Sequence, residues 1–174
     1  MKFDWQELVE FHGHSCPGLA LGYGMVRLAM QELGLSRDQD EEVVAISETD
    51  ACSVDALQFI LGCTLGKGNL IYHNTGKNAF TIFCRKDGRS IRVMASSRLL
   101  EADSKEDKVA KLLEADPKEY CQISKARYPM PGKARLFNSV TCQFCEERLS
   151  ENMARLQDDK IICLDCLNAY ERGY

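Results

Sequence analysis

Apolar residues recur at helical spacing through the first fifth of the chain. In 4–11 (DWQELVEF), Leu8, Val9 and Phe11 fall on one side, predicting a short helix with those three facing inward. From Pro17 onward, Leu19, Tyr23, Val26, Met30 and Leu33 keep the same period. Pro17 suits a first helical turn, where its missing N–H would have no partner, and Gly34 offers a C-terminal stop. SRDQDEE (36–42) reads as a solvated loop, VVAISE (43–48) as a strand, and SVDALQFIL (53–61) as a third helix. The glycine-rich turn 62–69 leads into LIYH (70–73), and AFTIFCR (79–85) and IRVMAS (91–96) flank a hairpin turn. Residues 104–116 are amphipathic and opened by Ser104, and Pro117 starts a further helical piece that is expected to reach Ser124. Helices, a strand, a helix, a run of strands and then helices predict an α+β fold: a mostly antiparallel sheet with packed helices.

After this core comes YPMPGKA, with two prolines and a glycine. It predicts a core domain over 1–128, a linker at 129–134 and a small tail over 135–174. The acidic, amphipathic opening lacks a signal-peptide pattern, and no apolar run approaches the roughly 20 residues of a membrane span. A cytoplasmic protein with no membrane partner is expected. A net charge of -4 argues against broad nucleic-acid binding. Nine cysteines in such a chain read as reduced thiols, metal ligands or buried small hydrophobes.

The tail carries the strongest local signal. Cys142, Cys145, Cys163 and Cys166 form two C-x2-C pairs separated by 17 residues, a spacing that suits a four-thiolate zinc site. Unmetallated thiols and an iron–sulfur cluster are the alternatives. ARLQDDKII (154–162) reads as a hairpin, with Cys163 and Cys166 in the first turn of a following helix. Knuckle, hairpin and helix in that order resemble a treble-clef zinc finger. Four thiolates leave no open position, so zinc here is structural. Residues 132–174 hold six basic and seven acidic side chains, which favours a protein-docking or dimer-bracing role over phosphate binding.

Three stretches of the core carry chemistry. In HGHSCPG, Cys16 precedes Pro17, so its thiol sits at a helix start, where the dipole favours thiolate; His14 lies two residues away. His12 either reaches the same centre or caps the preceding helix. SETDACSVDALQ brings Asp50, Cys52 and Asp55 to a second strand-to-helix turn. GCTLGKGNL fails as a phosphate loop: its spacing is one residue short, and Gly68 stands where Ser or Thr is needed. An anion nest with Lys67 and a plain tight connection both stay open. Cys63, Cys84 and Cys121 read as core thiols and His73 as structural.

FHGHSCPGLALGYGM, ETDACSVDALQ, GCTLGKGNL and GKNAF, in that order, resemble the FmdE family of formylmethanofuran dehydrogenase proteins. The resemblance implies an α+β core followed by a treble-clef finger, with His14, Cys16, Asp50, Cys52, Asp55 and Lys67 as the matching polar positions. It also implies a homodimer and a link to a molybdenum or tungsten oxidoreductase. One expectation is a small metal- or thiolate-dependent enzyme or redox domain. His14, Cys16 and Cys52 would hold a second transition metal, Asp50 or Asp55 would act as base or outer-shell partner, and Lys67 would pair with an anionic substrate. The alternative is a non-catalytic scaffold or metal-delivery protein docking through its finger. A cysteine hydrolase using Cys16 and His14 ranks lower, because no oxyanion hole is evident.

Overall fold

The structure, a computed structural model, describes residues 4–96 and 102–168. It divides into two compact units, Met1–Ala134 and Arg135–Tyr174. In the first, α1 (Trp5–His12) starts at Asp4, whose carboxylate accepts the Gln6 N–H, and stops at Gly13 in the left-handed region (φ 95°). That stop lets the chain turn back within four residues into α2 (Pro17–Leu33), which is capped by the Cys16 sulfur and closed by Gly34. Leu8 is buried as expected and Val9 half-buried, but Phe11 is exposed. Its ring stacks on Phe59, with centroids 5.4 Å apart, instead of entering the core.

The main sheet has the order β2-β1-β3-β4-β5. Here β1 is Val43–Ser47, β2 Leu70–Tyr72, β3 Ala79–Cys84, β4 Ser90–Ala95 and β5 Cys121–Ser124. Only β1 and β2 run parallel, with Ser47 opposite Tyr72; the other three ladders are antiparallel. The α+β expectation therefore holds. β1 is buried along its whole length because both faces are covered, which is why it reads as a continuous apolar run. On one face Ala45, Phe80, Ile82 and Val93 pack with the α2 residues Leu19, Met25 and Leu28; on the other Val44, Ile46 and Phe83 meet Ala126 and Tyr128.

Two expectations for the segments beside the sheet also need correction. The helical piece after Pro117 is only α5 (Pro117–Tyr120), opened by an Asp116–Glu119 capping box. The chain then extends as β5, because the open edge of β4 offers ladder hydrogen bonds to Cys121–Ser124. The 36–42 loop is not uniformly solvated. Asp38 is buried, and its carboxylate accepts the Val43 N–H, the Asn69 side-chain amide and the Lys67 ammonium. α4 (Lys105–Glu114) starts at Ser104 as expected and presents Val109 and Leu112 to the core.

Just past β1, Glu48 is fully buried and paired with the equally buried Arg92 of β4, Nε donating to Oε1 at 2.5 Å and Nη2 to Oε2 at 2.9 Å. The Glu48 carbonyl accepts the N–H groups of Thr75 and Lys77. This clamp fixes the segment leaving β1, where the stretch carrying Asp50, Cys52 and Asp55 begins.

In the second unit β6 (Ser139–Thr141) pairs with β7 (Arg148–Ser150), and β8 (Arg155–Gln157) with β9 (Lys160–Ile162). The β8–β9 turn holds Asp158 and Asp159 at φ 49° and 60°, positive values that suit a two-residue hairpin with the right-handed twist. Cys163–Cys166 is a turn rather than the first turn of a helix, and the remainder of that expected helix, 169–174, lies outside the described residues.

Candidate metal centres

The core centre is assembled from three helix ends. α1 delivers His12 at its last position, the α2 N-cap delivers Cys16, and the turn before α3 (Val54–Ala56) delivers Cys52. Their donor atoms all lie within 4.8 Å of one another. Tetrahedral Zn–S bonds of about 2.3 Å set sulfur–sulfur edges near ~3.8 Å, so the group is close to the size one ion needs. The Cys16 sulfur accepts the Leu19 N–H at 3.4 Å, placing it against the positive end of a 17-residue helix. Burial and the neighbouring Cys16 push the Cys52 thiol up. A cation between the two sulfurs would remove that repulsion.

Asp55, in the first turn of α3, reaches the far side of His12. Its Oδ2 lies 2.6 Å from His12 Nδ1, while His12 Nε2 lies 4.0 Å from the Cys16 sulfur. A carboxylate on one imidazole nitrogen and the ligand cluster on the other is the arrangement that fixes tautomer and ring orientation in metal sites.

A cavity of about 560 Å³ opens beside the centre, bounded by His12, Cys52, Asp55 and Asp50 and walled by Val54, Leu65, Leu70 and Tyr72. At its rim the Tyr72 hydroxyl donates to Asp50 Oδ2 at 3.0 Å and accepts from the Asn74 amide. Burial and the adjacent carboxylate push the Tyr72 phenol up, so it is a proton holder at neutral pH. No lysine or arginine is among the described lining residues.

Cys16 and Cys52 meet, Asp55 supports the site and Asp50 lies on the cavity rim. His14 is not in the cluster: it is exposed, and its ring only stacks against His12, with centroids 4.6 Å apart. The helix break at Gly13 turns His14 outward and leaves His12, four residues before Cys16, as the imidazole that converges. Lys67 also departs from expectation, since its ammonium lies 2.5 Å from the buried Asp38 carboxylate and away from the cavity lining. Tyr72 and Gln58 were not singled out by sequence. The parallel pairing of β2 with β1 would have found Tyr72, because it sets that residue opposite the last residue of β1. Cys63, Cys84 and Cys121 are buried as expected, and burial pushes Cys63 and Cys121 up to about 12.

In the second unit Cys142, Cys145, Cys163 and Cys166 bring their sulfurs within 4.8 Å of one another, with Cys145 and Cys163 at 3.9 Å. The backbone N–H groups of Cys145, Cys163 and Phe144 hold the Cys142 thiol down to about 6. Cys166, crowded by Cys163 and the other sulfurs, is pushed up to about 12. A metal ion such as zinc fits this quartet and would neutralise the crowding.

Residues 11–141 match the family described as FmdE, molybdenum formylmethanofuran dehydrogenase operon. The chain belongs to the FmdE family. Its α+β core has a counterpart in the crystal structure of a tungsten formylmethanofuran dehydrogenase FmdE-like protein from Syntrophus aciditrophicus. That likeness has a TM-score of 0.70 and 26% identity, covering 95% of this chain and 92% of that one. A "Probable S-adenosyl-L-methionine-binding protein" of Archaeoglobus fulgidus is 32% identical over 193 aligned positions, covering 92% of this chain. The FmdE-family chain spans about half, 51%, of the length of that curated relative. Among the described residues no helix is long and apolar enough to cross a membrane.

Proposed function

We propose that the core of this FmdE-family protein holds a transition metal through His12, Cys16 and Cys52. The chain then works as a small metal- and thiolate-dependent enzyme or redox domain in one-carbon metabolism of the formylmethanofuran dehydrogenase type. The observation that carries this reading is the convergence of three soft donors within 4.8 Å beside a cavity that His12 and Cys52 line. When bound, such a metal supplies Lewis-acid chemistry to a ligand entering the cavity. Asp55 keeps the proton on His12 Nδ1 and so presents Nε2 to the centre. Asp50 and Tyr72 share a proton at the rim and orient the ligand there. Val54, Leu65 and Leu70 exclude water from its apolar part.

Two carboxylates and no described cation at the cavity favour a neutral or cationic ligand over an anionic one. The name of the archaeal relative agrees with this, since S-adenosylmethionine carries a sulfonium and an amine. The tail quartet would hold zinc as a structural ion and brace a homodimer or dock on a molybdenum or tungsten oxidoreductase. That closed site favours a second reading, a scaffold or metal-delivery protein that co-purifies with the large enzyme and has no turnover alone.

Elemental analysis of anaerobically purified protein tests the proposal. The parent should hold metal at both centres. Cys16→Ser/Cys52→Ser should lose the core ion alone, and Cys142→Ser/Cys145→Ser the tail ion alone. A core double variant with the parent's metal content would end it.

A further inference from the structure

We infer that Gln58 is a positioning residue for the core metal centre, acting through Asp55; this rests on the proposal that His12, Cys16 and Cys52 hold a metal. The two oxygens of Asp55 have different partners: Oδ2 faces His12 Nδ1 at 2.6 Å, and Oδ1 accepts the Gln58 side-chain amide at 3.0 Å. The terminal torsion of an aspartate is broad, so one hydrogen bond alone leaves the carboxylate free to swing about it. Asp55 is partly open to water, its side chain 31% exposed, and water competes for it in every swung position. A second donor on the other oxygen removes that freedom. Gln58 thus holds the carboxylate plane that holds the imidazole.

The local backbone serves this contact. Residues 55 and 58 lie three apart, on one helical face, where an aspartate and a glutamine meet readily. From Leu57 the helix widens into a π-turn (Leu57–Leu61), with the N–H groups of Gly62 and Cys63 both reaching the Leu57 carbonyl. Such wide turns recur at functional sites. The half-buried Gln58 is the second residue of this turn. Residue type matters too. An amide donates without charge, so Asp55 keeps its full negative charge for His12; a lysine or arginine here would draw that charge into an ion pair.

The inference fixes how substitutions combine. Zinc affinity of each centre in the full chain can be read by competition with a chromogenic chelator. The core phase is the one that disappears in Cys16→Ser/Cys52→Ser, and the tail phase is an internal control. Losing a partner of a metal ligand typically weakens metal binding about 10–100-fold, so Asp55→Asn should fall in that range and Gln58→Met, one step further out, just below it at about 5–10-fold. In the Asp55→Asn background, Gln58→Met should add nothing, because its route to the metal is already cut. Cobalt substituted at the core should show shifted ligand-field bands in Gln58→Met, while its tail bands stay as in the parent.

A core phase present in the parent but unchanged by Gln58→Met overturns this inference alone. So does a Gln58→Met loss of equal size with and without Asp55→Asn, which would mark a purely structural role. Absence of a core phase from the parent removes both this inference and the metal-centre proposal.

Discussion

Gly22 of α2 lies directly on Ser53: a Cβ at residue 22 would stand 2.4 Å from the Ser53 carbonyl oxygen. One turn earlier Gly18 faces the neighbouring cysteine, where a Cβ would lie 3.3 Å from Cys52 Cβ and 3.9 Å from the Cys16 sulfur. Positions four apart share a helix face. The two glycines therefore let α2 settle onto the turn that carries Cys52, and this approach brings Cys52 to the helix start where Cys16 sits.

Gly22→Ala should accordingly push that turn away. Over-packing of this kind costs about 1–3 kcal/mol, and the displaced Cys52 should lose the core ion while the tail quartet keeps its own. Gly66→Ala is the control, because nothing lies within 4 Å of a Cβ there. Thermal unfolding together with metal content per chain reads both. A Gly22→Ala protein with parental stability and core metal would show that the close approach is dispensable.

The two neighbouring histidines should separate cleanly. His12→Ala removes a metal donor and the partner of Asp55 Oδ2, so core zinc affinity should fall at least about tenfold. His14→Ala, at an exposed ring outside the cluster, should leave it within about twofold of the parent. Chelator competition on the two variants decides it, and a larger loss from His14→Ala would return the ligand role to that residue.

How far this was legible from the sequence differs residue by residue. The periodic pattern located α2, β1, β3 and β4, because those segments bury one or both faces and their side chains record it. The quartet was legible because C-x2-C spacing alone brings two sulfurs round a tight turn. Cys16 and Cys52 could be named as helix-start thiols, but their meeting depends on Gly18 and Gly22, whose role is visible only once Ser53 is known to lie against α2. The choice of His12 over His14 hinges on one left-handed glycine between them. Lys67 misled because its partner, Asp38, sits in a stretch whose charge suggests solvent. Burial of a single carboxylate inside such a stretch leaves no periodic trace.

That pairing carries its own prediction. Lys67→Met leaves the Asp38 carboxylate buried without a cation, although the Asn69 amide and the Val43 N–H still bind it. Breaking a buried pair costs several kcal/mol, and with these remaining donors a loss of about 3 kcal/mol is expected. Core metal content should not change, because Lys67 does not line the cavity. Urea unfolding and elemental analysis together check this; a stable variant that has lost core metal would restore Lys67 to the site.

The Glu48–Arg92 clamp should make stability depend on pH in a defined direction. The two-point contact with the Arg92 guanidinium holds the Glu48 carboxyl below its usual value. A group whose folded value lies below its unfolded one, near ~4.3 for glutamate, contributes fully above that unfolded value. The contribution is lost as pH falls through the folded one. Other carboxylates are also held low, Glu42 down to about 2 by backbone and side-chain hydrogen bonds, so the clamp has to be isolated by difference. Replacing both partners in Glu48→Leu/Arg92→Met removes the pair while leaving those groups in place. Arg92→Met alone strands a buried charge and should cost about 3–5 kcal/mol at pH 7, whereas the double variant should recover much of that. Urea midpoints taken from pH 7 to pH 3 should fall more steeply in the parent than in the double variant below about pH 4.5. Parallel curves across that window would mean that Glu48 titrates alike in the folded and unfolded chain, and the clamp would then contribute packing without charge.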